Sequence, residues 1–173
     1  MEIMAMIFVQ APKLRYRLAP GTWSMGALAG LAGGAAEVAW IALYGHLSGG
    51  ETAAVARGIT NSLFPTFAEK SLFVPFGIAI HMGLAVLLGI AITALLRLLM
   101  PRVSGTAFEP VAVTSMLAAV WATNFFVILP ALNPTFVSLV PYGVSLISKV
   151  LFGVAASFVL QFRHRRCHAI DTT

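Results

Sequence analysis

Charged residues are scarce in this chain: Asp, Glu, Lys and Arg make up 10% of its 173 residues, against about 25% in an average globular domain. Hydrophobic residues account for 59%. A soluble fold of this length could not hide so much apolar surface from water. The few charges also cluster between the apolar stretches, so those stretches are apolar on all sides. The composition therefore predicts an integral membrane protein in contact with the lipid bilayer.

Cysteine is almost absent. Cys167 is the only one, which excludes an intrachain disulfide and a CxxC metal frame. It lies between His164 and His168 in the basic tail 163–173, where a solvated tail is a simpler interpretation than a metal site. The chain also lacks the GxSxG, HExxH and P-loop motifs. We therefore expect no catalytic residues, no metal site and no enzymatic activity.

The net charge of +5 comes mainly from basic residues at the ends of the apolar stretches, which is typical of an orientation signal and not of a nucleic-acid surface. On one side are Lys13, Arg15, Arg17, Arg97, Arg102, Arg163, Arg165 and Arg166. The segments predicted on the other side carry only Arg57 and Lys70. This bias predicts that both termini are cytoplasmic, in a multi-pass protein of a bacterial-type inner membrane with no nucleic-acid partner.

Four stretches are long enough to cross a hydrocarbon core as helices, which takes about 20 residues. They are approximately 22–47, 71–99, 110–132 and 137–162. The segment 48–70 mixes glycines and polar residues, and it predicts a short amphipathic helix from Glu51 to Leu63 that ends before Pro65. We expect this segment to lie on the outer membrane surface.

These stretches predict an all-α, four-helix membrane bundle in which residues 1–173 form a single membrane domain and 163–173 form a cytoplasmic tail. A cleaved signal peptide with "WSMGALAGLAGGAA" as its apolar region is an alternative for the first stretch. It fits less well, because the stretch continues apolar for too long beyond Glu37.

Small residues recur at intervals of four on several of the predicted helices. The positions that we expect to pack against neighbouring helices are Gly26, Gly30, Gly34, Gly77, Gly89 and Gly153. This GxxxG-type spacing places small residues on one helix face, where another backbone can approach closely. The competing explanation is that glycine is simply frequent in membrane helices, but two successive intervals in register on the first helix favour packing.

Each predicted helix also contains one strongly polar residue: Glu37, His81, Asn124 and Lys149. With a rise of about 1.5 Å per residue, all four lie roughly 9 to 15 Å below the outer boundary, in one layer. Glu37 and Lys149 are the only acid and base well inside the stretches, so we expect them to pair, with His81 and Asn124 completing their hydrogen bonds. Snorkelling of Lys149 to the outer interface is the alternative.

The layer has two interpretations. It can be a structural network in a small accessory or assembly subunit that packs laterally against other membrane-protein subunits or against copies of itself. It can instead relay protons or ions in an oligomeric channel or carrier. We favour the accessory subunit and expect no cofactor, while a haem shared between two His81 residues of a dimer stays open.

Overall fold

Every described element of the chain is helical. The computed structural model describes residues 21–49, 52–67 and 72–170. The α-helices of this part are α1 (Thr22–Ser48), α2 (Thr52–Leu63), α3 (Phe73–Leu99), α4 (Glu109–Thr123), α5 (Leu129–Leu132), α6 (Pro134–Leu139) and α7 (Tyr142–Ile170), and it contains no strand. The predicted all-α class is confirmed for these residues.

Four stretches of helix are long and apolar enough to cross a membrane: Thr22–Ser48, Phe73–Leu99, Glu109–Leu132 and Tyr142–Phe162. We refer to them as the first to fourth candidate spans. The first three begin and end within two residues of the predicted bounds. The end of α1 shows why this bound could be predicted from the sequence. Gly49 adopts the left-handed conformation, with φ of 66°, and its N–H bonds to the carbonyl of Gly45, so the helix ends before it.

The fourth candidate span differs from the prediction at its start, which is Tyr142 and not residue 137. Residues 137–139 belong instead to the separate short helix α6, and Val140 and Pro141 are not helical. The helical backbone is interrupted at Val140, because Pro141 disfavours helical conformation in the residue that precedes it. At its other end α7 continues past Phe162 to Ile170, so the predicted tail begins as helix.

The basic residues that predict the orientation lie mostly outside the described part of the chain. These are Lys13, Arg15, Arg17, Lys70 and the side chains of Arg163, Arg165 and Arg166. The sides on which the two termini lie therefore remain a prediction.

The third candidate span is a continuous helix with one irregular turn. Residues Asn124–Ile128 form a π-helical segment in which the N–H of Leu129 bonds to the carbonyl of Asn124. The proline two residues beyond this segment explains the irregularity. Pro130 has no N–H to donate, and its ring would clash with the carbonyl of Phe126 in a regular α-helix. A wider turn relieves the clash without ending the helix.

The connection between the first two candidate spans contains a helix close to the predicted one. Helix α2 packs against the start of α3, where the hydroxyl of Thr60 lies 3.0 Å from the carbonyls of both Ala56 and Phe73. The side chain of Asn133, at the corner after α5, donates a 3.0 Å hydrogen bond to the hydroxyl of Ser62. These bonds fix α2 across one end of the bundle, which we call the outer end after the predicted orientation.

The order of the long helices in space is α3, α1, α7 and α4. Helix α1 packs against both α3 and α7, and α4 packs mainly against α7. The hydrophobic core lies towards the opposite, inner end and includes Ala29, Ile92, Leu96, Val113, Leu117, Phe152 and Ala156. The first and last candidate spans are thus neighbours, which brings their polar residues within reach of each other.

Candidate functional site

Three of the predicted packing glycines lie on the face of α1 that contacts α3. A Cβ atom at Gly26 would lie 2.6 Å from the Cα of Ile90, and one at Gly34 would lie 2.7 Å from the Cβ of Ala85. A Cβ at Gly30 would overlap the Ala85 carbonyl oxygen. Real Cβ contacts essentially never approach so closely, so these positions have room for glycine alone.

The other predicted glycines also lie at helix contacts. Gly89 faces the backbone of α1, and Gly77 faces the carbonyl of Ala56 on α2, not another candidate span. A Cβ at Gly153 would meet the hydroxyl of Thr114 on α4. The six predicted glycines therefore allow close contact in three helix pairs, α1 with α3, α2 with α3, and α4 with α7.

An ion pair joins the first and fourth candidate spans. The Nζ atom of Lys149 lies 2.6 Å from Oε1 of Glu37. The Glu37 side chain is 4% exposed and that of Lys149 is 18% exposed. The attraction between opposite charges at this distance offsets part of the hydration free energy that each charge loses when it is buried. Two charges are thus buried among apolar helices, and because they are opposite, the pair has almost no net charge.

Helix α7 supplies a second partner to the carboxylate. The hydroxyl of Ser148 lies 3.1 Å from Oε1 of Glu37 and 2.7 Å from the carbonyl of Ser145. Because a hydroxyl has one proton, Ser148 donates to one of these acceptors at a time. Towards the outer end, the indole N–H of Trp40 donates to the carbonyl of Val144 at 3.0 Å. The contact between α1 and α7 is therefore polar over its outer half.

His81 approaches the same carboxylate from the side of α3. Its Nε2 atom lies 3.5 Å from Oε2 of Glu37, but the geometry does not form a hydrogen bond, and this buried nitrogen has no other partner among the described atoms. The His81 side chain is 23% exposed. One carboxylate thus faces a lysine and a serine on one helix and a histidine on another. We call Glu37, His81, Ser148 and Lys149 the polar cluster.

Asn124, the fourth residue of the predicted layer, is not part of this cluster. None of the hydrogen bonds of the described side chains joins it to Glu37, His81 or Lys149. The reason is the helix order, because α7 and not the third candidate span packs against α1. The third candidate span instead reaches α7 through Trp121, whose indole N–H donates to the hydroxyl of Ser145 at 2.8 Å.

Two residues of this region have only weak signals in the sequence. Ser148 directly precedes Lys149 in the sequence. A hydroxyl next to an intramembrane lysine can donate a hydrogen bond to the carboxylate that pairs with that lysine. Gly33 lies outside the four-residue series, yet a Cβ there would collide with the ring of Phe152. The spacing rule missed Gly33 because it describes the face towards α3, and Gly33 faces α7.

The polar cluster contains groups that can exchange protons, a carboxylate, an imidazole and an amine, at one point between three helices. A metal site would instead need several ligating side chains of His, Cys, Asp or Glu around one point. In the part of the chain that the structure describes, no three His, Cys, Asp or Glu side chains gather to hold an ion.

The four long apolar helices suggest a multi-pass membrane protein with a buried charged cluster. Comparison with known proteins adds no narrower class: no protein-family model, no curated protein and no solved structure matches the chain.

Proposed function

We propose that this chain inserts in a bacterial-type inner membrane with both termini cytoplasmic and acts as a non-enzymatic accessory or assembly subunit. In this role it packs laterally against another membrane-protein subunit or against a second copy of itself. The polar cluster then serves as a lock that fixes α1 against α7 and α3. The proposal needs no cofactor, no metal and no nucleic acid.

The observation that carries the proposal is that the rest of the chain buries only a small part of the third candidate span. In its most apolar window only 17% of the residues are buried within the chain, against 39% in the fourth candidate span. Its outward side chains include Phe126, Val127 and Ile128, which are 59%, 63% and 44% exposed. These consecutive residues belong to the π-helical segment, a type of turn that is frequent at functional sites. A helix that its own chain covers so little is a suitable surface for another transmembrane helix.

The polar cluster supports the same role, because the chain itself supplies the partners of its charges. Glu37 has Lys149 and Ser148 within 3.1 Å. Intramembrane polar residues that satisfy one another hold helices together and fix their rotation.

The test is extraction of the tagged chain from its native membrane in a mild detergent, followed by identification and counting of what remains bound. We expect a second component, or a second copy, at fixed stoichiometry. Val127→Trp should remove it, because the larger side chain blocks the surface while remaining compatible with lipid. Val154→Trp is the matched control on the fourth candidate span, where the residue is 55% exposed. Equal retention by both variants would contradict the assigned surface.

A second candidate function, conduction of protons, ions or small solutes by an oligomer, is favoured by one specific observation. Nε2 of His81 is buried, has no hydrogen bond among the described atoms, and lies 3.5 Å from the Glu37 carboxylate. A small movement would complete this bond, and a proton could then pass between the two groups. Four helices alone scarcely enclose an aqueous path, so this function requires several copies of the chain.

Flux into liposomes separates the two functions. For a conducting protein, purified chain should dissipate a proton or ion gradient, and Glu37→Gln or His81→Gln should abolish the flux while the variants stay folded. For the accessory subunit, the gradient should persist as in protein-free vesicles. Arg102→Gln, at an exposed position in the inner turn, is the control for a general effect of removing a charge.

A further inference from the structure

A cleft with both polar and apolar lining lies at the outer end of the bundle, and no residue of the polar cluster lines it. It has a volume of about 610 Å³ and is open to the surroundings. Helix α2 forms one wall, and the corner residue Asn133 with helix α6 forms the other. Its lining residues are Ala54, Arg57, Gly58, Asn61, Asn133, Thr135 and Leu139. The volume is in the range of about 300–1,000 Å³ that small-molecule sites occupy.

The wall formed by the corner is held in place by hydrogen bonds. The amide of Asn133 donates to Ser62 at 3.0 Å, and its Oδ1 accepts a 2.7 Å hydrogen bond from the hydroxyl of Thr135. Asn133 is 8% exposed. This wall is therefore preorganised, and the groups available to a ligand lie on α2.

The groups on α2 are hydrogen-bond donors. The guanidinium carbon of Arg57 lies 4.3 Å above the centre of the Phe73 ring, and no described carboxylate lies within ion-pair distance of it. This cation–π contact holds the guanidinium beside the ring, and none of the described hydrogen bonds uses its N–H groups. The exposed amide of Asn61, one turn further along α2, has no hydrogen-bond partner among the described residues. Gly58, between them, is buried and adds no side chain to obstruct the cleft.

We propose that this cleft binds the phosphate of an anionic phospholipid headgroup, with Arg57 as the principal ligand and Asn61 as the second donor. A planar guanidinium fits phosphate oxygens in a bidentate manner, and an amide N–H₂ adds a further donor to the same acceptor. The position suits a lipid, because α2 lies at the end of four candidate spans, at the level where headgroups would be. The proposal rests on the proposed membrane insertion, but on neither of the two proposed roles.

The test is native mass spectrometry of the detergent-purified full chain after addition of phosphatidylglycerol, phosphatidylcholine or inorganic phosphate. Wild-type protein should retain phosphatidylglycerol in preference to phosphatidylcholine, because the choline cation of phosphatidylcholine cancels the charge of its phosphate and is repelled by Arg57. Arg57→Gln should weaken that retention at least fivefold, the factor expected for one charge contact. Arg57→Lys keeps the charge but loses the bidentate guanidinium, so its lipid retention should lie between those of the wild type and Arg57→Gln. Asn61→Ala should weaken retention less than Arg57→Gln does. Arg102→Gln, an exposed arginine at the opposite end, should bind as wild type does.

Three results would overturn the proposal. Equal retention by Arg57→Gln and wild type would show that the cleft does not hold the lipid. An equal loss in Arg102→Gln would show a general effect of charge. Binding of inorganic phosphate as tightly as phosphatidylglycerol would assign the cleft to a free anion. Lipid retention is measured without any protein partner or flux, so its failure is distinct from failure of the accessory or conducting role.

Discussion

Removal of one charge of the Glu37–Lys149 pair should destabilise the protein at least as much as removal of both. The substitutions are Glu37→Gln, which preserves shape and can still accept from Ser148, and Lys149→Met, which preserves length. Each alone leaves its partner buried beside apolar helices without a counter-charge. The double variant leaves no charge there.

The magnitude follows from the burial of the two groups. Breaking a buried ion pair by removing one partner costs about 3–5 kcal/mol of unfolding free energy. Because the Lys149 side chain is 18% exposed and can extend partly towards the interface, we expect the lower value, about 3 kcal/mol, for each single variant. The double variant should cost no more than either single one, which corresponds to a coupling energy of at least about 3 kcal/mol.

The assay is reversible unfolding in mixed micelles, followed by far-UV circular dichroism for the wild type, both single variants and the double variant. Arg102→Gln serves as a control for removing an exposed charge, and its free energy should change by less than about 0.5 kcal/mol. Strictly additive losses in the double variant would refute the pairing, since additivity means that the two side chains do not interact.

Three further predictions follow from the packing. Gly30→Leu should lower the melting temperature strongly or prevent folding, because a side chain there would displace the backbone of α3, whereas Gly83→Leu should be nearly neutral, since a Cβ at Gly83 meets nothing within 4 Å. Trp121→Phe should cost about 1 kcal/mol by leaving the hydroxyl of Ser145 without its donor, and the loss should vanish in a Ser145→Ala background. Asn124→Leu should leave the coupling between Glu37 and Lys149 unchanged in the same unfolding assay; a reduced coupling would place Asn124 in the network.

The depth of the charged residues could be inferred from the sequence because it depends only on counting along a helix. Counted from the predicted bounds, Glu37 and Lys149 have similar depths, nine residues before His46 and eight after Pro141, and the structure brings their side chains into contact. Depth alone does not say which helices are neighbours. Asn124 has a suitable depth as well, but α7 separates its helix from α1, so it stays away from the cluster.

The start of α7 and the π-helical segment show a second limit of sequence reasoning. Pro130 and Pro141 are visible in the sequence, yet one leaves its helix continuous and the other separates two helices. The difference depends on whether the freed backbone groups find other partners, and a wider turn supplies one only in the third candidate span.

The composition of the particle that a mild detergent releases from native membranes decides whether the chain is an accessory subunit. We expect the chain to leave the membrane bound to a second subunit or a second copy at fixed stoichiometry, and the purified chain alone to conduct nothing in liposomes. A particle containing a single copy of this chain and no partner, or a flux that Glu37→Gln abolishes in a folded protein, would contradict this role.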